Sequence, residues 1–210
     1  IGDYNFTYTI DANMQKTAER LLHKHDPFLG SIVMLDPETG AVKVMASYSR
    51  RRAEYYEANP YSSMIDPVSR NSVYPMASIQ KLITSAAAIE MGIAKPSDDF
   101  DCKGSLRIES GKVIRCSRGH GIGHGRITVE HGLATSCNVV FALLSLEIKK
   151  DMLEEYYRRF MFNRRIDFDL PLAESSLMIQ PGDYNLARAG CGLDGARVSP
   201  LHAALVAAAI

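Results

Sequence analysis

In "YPMASIQKLI", residues 74–83, Ser78 and Lys81 stand three positions apart where a helical pattern begins. A serine hydroxyl is a weak nucleophile until another group takes its proton. On the first turn of a helix, the positive end of the backbone dipole favours an alkoxide or oxyanion at Ser78. Lys81, at i+3, has its Cβ about 5–6 Å away, within reach of that hydroxyl. To act as a neutral base at pH 7, a lysine must titrate about 3 pH units below its usual ~10.4, worth roughly 4 kcal/mol. Burial pushes in that direction. A lysine that stays charged can instead stabilise negative charge and relay protons through a second hydroxyl. The plain alternative is a helix start with a solvated lysine.

A second polar island lies in "LATSCNVVFAL", where Ser136 and Asn138 interrupt apolar sequence. Ser136 could shuttle a proton between the lysine and a leaving group. Asn138 could hold a substrate amide through its donor and acceptor together. Either residue could equally cap the helix that follows.

These side chains need a scaffold. From Ser78 to Met91 the pattern is helical and almost wholly apolar apart from Ser78, Lys81 and Ser85, with Gly92 as a stop. Such a helix is expected to be buried, its three polar residues sharing one stripe. "TIDANMQKTAERLLHKH" predicts a helix capped by Asp11 with Met14, Ala18, Leu21 and Leu22 on its inner face. "GSIVMLDPETGAVKVMASYS" predicts a β-hairpin turning at Asp36–Gly40. Residues 49–73 read as a long surface loop and 96–127 as a glycine-rich irregular segment. "TVEHGLAT" and "NVVFALLSLEI" read as two helices broken at Ser136-Cys137-Asn138, "DMLEEYYRRF" as another, and a last one starts at Ser199-Pro200. The fold class is α/β (α+β), mostly helical with an N-terminal β-hairpin. Two strands alone make an unfinished sheet.

Residues 1–210 suit a single domain with a substantial core. Lys plus Arg and Asp plus Glu are equal at 24 each, so no bulk field recruits nucleic acid or an anionic membrane. No apolar run reaches the ~20 residues that span a bilayer, so membrane association would come through segments outside this chain. The first residues read as mid-domain sequence, the expectation being a piece of a longer protein. Cys102 and Cys116 flank a polar, glycine-containing stretch and could close a disulfide loop in an oxidising compartment, whereas Cys137 and Cys191 read as buried thiols. Cys102, Cys116, His120 and His124 also invite a zinc reading, because His-x3-His is ligand spacing. The gap between the cysteines is not the usual Cys-x2-4-Cys, so a disulfide or two unbridged thiols are expected and no metal or cofactor.

Taken together, Ser78-x-x-Lys81 and Ser136-x-Asn138 resemble the Ser-x-x-Lys and Ser-x-Asn motifs of the transpeptidase domain of penicillin-binding proteins, a serine acyltransferase fold shared with β-lactamases. "YTIDANMQKTAERLL", "GSIVMLDPETGAVKVMAS", "YPMASIQKLITSAAAIEMG", the stretch from "DCKG" to "ATSCNVVFA", and "GCGLDGARVSPLHAALVAAAI" resemble successive segments of that domain. The resemblance implies acyl transfer on peptidoglycan stem peptides ending in D-Ala-D-Ala, with β-lactams as mimics that acylate the serine. It makes Ser78 the nucleophile, Lys81 its proton partner, Ser136 the shuttle and Asn138 a substrate-binding residue. It implies the bacterial cell envelope, on the periplasmic or extracytoplasmic side of the inner membrane, and a glycosyltransferase domain or membrane anchor ahead of residue 1. The sequence departs from the pattern twice. Ala77 stands where the family usually has glycine. No Lys-Thr-Gly motif follows Ser136, since the only later lysines are Lys149 and Lys150. The expectation is therefore a domain truncated at both ends, lacking the C-terminal strands of the sheet and poorly active alone, because one lost oxyanion donor costs ~10²–10³ in rate. A β-lactamase-like hydrolase and a non-catalytic envelope module are the competing readings.

Overall fold

This computed structural model describes residues 8–59, 62–71, 73–109, 111–116, 118 and 122–210. In chain order the elements are α1 (Ala12–His25), β1 (Leu29–Leu35), β2 (Val42–Ser49), α2 (Ala53–Ala58), α3 (Ser62–Ile65), β3 (Tyr74–Pro75) and α4 (Gln80–Glu90). Then come β4 (Asp99–Cys102), β5 (Ser105–Arg107), β6 (Val113–Arg115), β7 (Gly125–Thr128), α5 (Val129–Ala134), α6 (Asn138–Ile148) and α7 (Lys150–Arg159). β8 (Ser176–Leu177), α8 (Asp183–Cys191), β9 (Ala196–Val198) and α9 (Pro200–Ala208) complete an α+β fold. The chain forms two compact units. The first runs through Val73 and adds 169–173 and 199–209; the second holds 74–168 and 174–198.

In the first unit, β1 and β2 form the expected antiparallel hairpin, Ile32 facing Ala46. Asp11 caps α1 by accepting from the Asn13 and Met14 amides. The inner face of α1 differs from the one predicted. Gln15, Ala18 and Leu22 are buried, while Met14 and Leu21 are 48% and 44% exposed. Gln15 decides the rotation. Its Oε1 accepts from the Met45 amide at 2.9 Å and its Nε2 donates to the Met45 carbonyl at 3.3 Å, so a polar residue is satisfied inside.

The described residues of the predicted loop at 49–73 carry α2 and α3. Asp66, buried beside them, accepts from Arg52 at 2.7 Å, from the Tyr56 hydroxyl at 3.0 Å and from the Val68 amide at 3.0 Å. This carboxylate organises a polar segment that shows no hydrophobic period. The hydroxyl of Tyr56 is pushed up to about 12 by burial and by the carboxylate it serves.

The second unit is built around α6, buried at Val139, Val140, Phe141, Ala142, Leu144, Ser145 and Ile148. Helices α4, α7 and α8 pack against it. A helix apolar on every side is stable only when surrounded in this way. The segment predicted to be irregular, 96–127, forms two antiparallel pairs, β4–β7 and β5–β6. A third small sheet runs in the order β3-β9-β8. Its central strand β9 pairs with β3 just ahead of Ser78.

Candidate active site

Ser78 lies in a single 3₁₀ turn, Ala77–Ile79, that feeds directly into α4. Ala77 holds a left-handed backbone, φ 51°, a conformation that costs an L-residue about 1–2 kcal/mol. The turn therefore forms with alanine in the position where glycine would be unstrained. Ser136, in the break between α5 and α6, is left-handed as well, φ 55°. Strain of this kind persists where the surrounding structure over-determines a conformation, and it gathers at functional sites.

The two strained turns meet. The Ser136 hydroxyl donates to Ser78 Oγ at 2.9 Å, and Lys81 Nζ donates to the same oxygen at 3.1 Å. Ser78 is exposed, Ser136 half-buried, and Lys81 only 1% exposed. The solvated-lysine alternative is thus excluded. Burial pushes the Lys81 amine below its ordinary value, against an opposing pull from the nearby thiols of Cys191, Cys137 and Cys116. Its second partner is the Cys191 carbonyl at 2.6 Å.

That carbonyl is one the sequence reading missed. The last carbonyls of a helix have no partner within it. At the end of α8, Thr84 Oγ1 donates to the Gly190 carbonyl at 2.9 Å and Lys81 takes the next one. The end of α8 thus gives the amine a second anchor besides Ser78. Gly192 follows immediately, and a Cβ there would stand 2.2 Å from the Ala77 carbonyl oxygen, inside the serine turn. Gln80 closes the same corner, donating to the Asp194 carbonyl at 2.9 Å and accepting from the buried Tyr157 hydroxyl at 3.0 Å. A glycine after a helix is an ordinary stop signal in sequence, so nothing there marks Gly192 as touching residue 77. A cleft of about 670 Å³ opens beside the turn, bordered by Pro75, Ala77, Gln80 and the 192–197 segment. Ser85, on the predicted polar stripe, does not join the site; its hydroxyl has no hydrogen-bond partner among the described residues.

Asn138 begins α6 and is buried, with its amide donating to the Arg115 carbonyl at 3.1 Å. It ties the Ser136 turn to the end of β6. Immediately beneath lies a second polar cluster. Cys102, Cys116, Cys137 and His124 bring three sulfurs and a ring nitrogen within 4.8 Å of one another. Of the two states expected for Cys102 and Cys116, a disulfide or two unbridged thiols, the structure has the thiols, and all four cysteines are unbridged. The fold gathers three sulfurs and an imidazole in one place and singles out no pair. Burial pushes the Cys137 thiol up to about 12. Burial opposes ionisation of Cys102 too, but the His124 and Gly104 amides and the neighbouring thiols outweigh it and hold this thiol below its usual value. His124 is lowered by burial, with Arg118 and His131 adding to the effect. His120, the other histidine of the pair noted in the sequence, lies outside the described residues.

Comparison with known proteins identifies the family. The family model described as penicillin binding protein transpeptidase domain matches residues 30–210. The chain is 31% identical to stage V sporulation protein D of Bacillus subtilis over 77% of its own length and 25% of that protein's. It is 29% identical to penicillin-binding protein PbpB of Mycolicibacterium smegmatis, over 73% and 23% respectively. The chain thus spans about a quarter of the length of these relatives. Its fold resembles penicillin-binding protein A of Mycobacterium tuberculosis, with a TM-score of 0.80 at 22% identity, covering 95% of this chain and 50% of that one. An imipenem acyl-enzyme complex of that protein also superposes with a TM-score of 0.80, at 23% identity. The transpeptidase domain of a peptidoglycan glycosyltransferase from Eggerthella lenta gives 0.74 at 26% identity, covering 95% and 52%. With a family model matched over most of its length and the serine–lysine–serine corner in place, the chain belongs to the penicillin-binding protein transpeptidase domain family.

Proposed function

We propose that this chain is the serine-acylating part of a peptidoglycan D,D-transpeptidase, with Ser78 as nucleophile, Lys81 as proton acceptor, Ser136 as proton shuttle and Asn138 as a substrate-binding residue. The observation that carries the reading is the meeting of Ser78 Oγ with a buried lysine amine at 3.1 Å and a second hydroxyl at 2.9 Å. Ser78 Oγ attacks the carbonyl carbon of the penultimate D-alanine while its proton passes to the neutral Lys81 amine. As the C–N bond breaks, the leaving amine takes a proton relayed from Lys81 through Ser136. An ester on Ser78 remains. An acceptor amine then attacks that ester and completes a cross-link; water in its place gives the carboxypeptidase outcome. A β-lactam enters the same step, its ring C–N bond breaking as the Ser78 ester forms.

Asn138 gives one amide N–H to the Arg115 carbonyl, which orients it, and its second N–H and its Oδ1 would serve the substrate amide. The whole protein would act in the bacterial cell envelope, on the extracytoplasmic side of the membrane, held by an anchor or a glycosyltransferase domain in other segments. Because Lys-Thr-Gly is not within these 210 residues, the test uses the full-length protein. Incubated with a fluorescent penicillin, the wild type should carry one covalent label on the peptide holding Ser78, and Ser78→Ala none. Absence of label on a folded wild type would support the non-catalytic envelope module instead. Rapid repeated turnover of a chromogenic β-lactam would support the hydrolase.

A further inference from the structure

We infer that Cys102, Cys116, His124 and Cys137 form a structural zinc site that fastens the Ser136–Asn138 corner to the two small strand pairs beside it. Four observations carry this. The first is distance. Cys116 Sγ lies 3.1 Å from His124 Nδ1 and 4.0 Å from Cys137 Sγ, and all four donors fall within 4.8 Å. With Zn–S about 2.3 Å and Zn–N about 2.0–2.1 Å, ligands on a tetrahedral zinc stand roughly 3.5–3.8 Å apart. Movements of about an ångström or less would seat the ion.

The second is donor type. Three thiolates and one imidazole form a closed Cys₃His set, the kind found in structural zinc sites, with no position left open for a substrate or a water. Soft sulfur donors also exclude magnesium and calcium, which require oxygen. The third is burial. Cys102 and Cys137 are fully buried and Cys116 nearly so, while His124 is half-buried at the outer edge and leaves a route for the ion.

The fourth is how the backbone prepares the cluster from separate segments. Cys102 ends β4 and pairs with Gly125, which places its neighbour His124 alongside. The Cys116 amide donates to the Gly104 carbonyl at 2.9 Å, bringing the end of β6 to the same point. Gly123 packs so tightly that a Cβ there would lie 2.0 Å from the Cys102 carbonyl oxygen. Cys137 arrives from the far side as the residue preceding α6.

The consequence follows from the position of Cys137 between Ser136 and Asn138. A metal held by Cys137 from one side and by β4, β6 and β7 from the other would hold Ser136 in its left-handed turn, 2.9 Å from Ser78. These ligands are positioning residues and contact no substrate. This last step rests on the acylation reading above, whereas the metal site itself does not.

The test is zinc analysis of tag-free, full-length protein. One zinc per chain is expected, with Cys102, Cys116 and Cys137 slow to alkylate until a chelator removes the metal. Cobalt in its place should give the intense visible absorption of a thiolate-bound tetrahedral ion. Cys116→Ser should lower zinc content from one to near zero and slow penicillin labelling at least tenfold. Should that variant fail to fold, chelation and re-addition of zinc to the wild type gives the same comparison. A protein without stoichiometric zinc whose three thiols alkylate equally fast with and without added zinc would overturn the site. So would a native disulfide between any two of them. Zinc bound without penicillin labelling would leave the site standing and fail the acylation reading; labelling unaffected by zinc removal would fail only the link between them.

Discussion

Two polar corners adjoin at Ser136 and Cys137, and they differ in openness. At the Ser78–Lys81–Ser136 corner the lysine is buried, but the hydroxyl it serves is exposed. At the Cys102–Cys116–His124–Cys137 corner the sulfurs point at one another and are sealed from water. A group that must meet a substrate needs one accessible atom and a buried partner to activate it. Groups that only hold a shape need neither access nor a vacancy. Exposure of the central atom separates the proposed reactive corner from the proposed fastening one, although both are small clusters of hydrogen-bonding residues that meet at the turn before α6.

Replacing Lys81 with methionine should separate the corners most sharply. Penicillin acylation should fall about 10²–10⁴-fold while zinc content is unchanged, as measured by stopped-flow labelling and metal analysis. In the wild type the acylation rate should rise with pH as Lys81 loses its proton and level off above its titration point. Because burial lowers that point, the plateau should begin below the usual lysine value, and the variant should lose this rise.

Two glycines should break one corner each. Gly123→Ala drives a methyl into the Cys102 carbonyl and a φ of 70°, and should weaken zinc binding tenfold or more in a chelator competition. Gly192→Ala drives one into the Ala77 carbonyl at a φ of 83°, and should slow acylation while the zinc remains. Each should also cost about 1–3 kcal/mol in a denaturant titration. If either substitution damaged both corners equally, they would be one cooperative unit. The smallest effect is Ala77→Gly, which relieves a left-handed alanine and should stabilise the protein by about 1 kcal/mol in the same titration.

Much of this was legible in local pattern. The cap at Asp11, the hairpin turning at Asp36–Gly40, the apolar helix carrying Lys81 and the break at Ser136-Cys137-Asn138 all appear where residue types and spacing put them. Reading failed where a single polar contact overrode the period. Gln15 turned α1 because its amide matches the backbone of Met45. Asp66 organises a segment with no apolar rhythm, and strands too short to show alternation lie among the described residues of 96–127.

By itself, the sequence determined which chemistry is available: a hydroxyl and an amine one helical turn apart, a second hydroxyl beside an amide, and two cysteines with a His-x3-His pair. Only the tertiary structure decided what those groups meet. The carbonyl end of α8 faces Lys81, the strained turns at 77 and 136 face each other, and Cys137 faces the ends of β4, β6 and β7 where the other three donors stand. The physical reason is range. Helix geometry links residues three or four apart, while contacts across tens of residues depend on how the buried faces of α4, α6 and α8 pack, which no local spacing encodes.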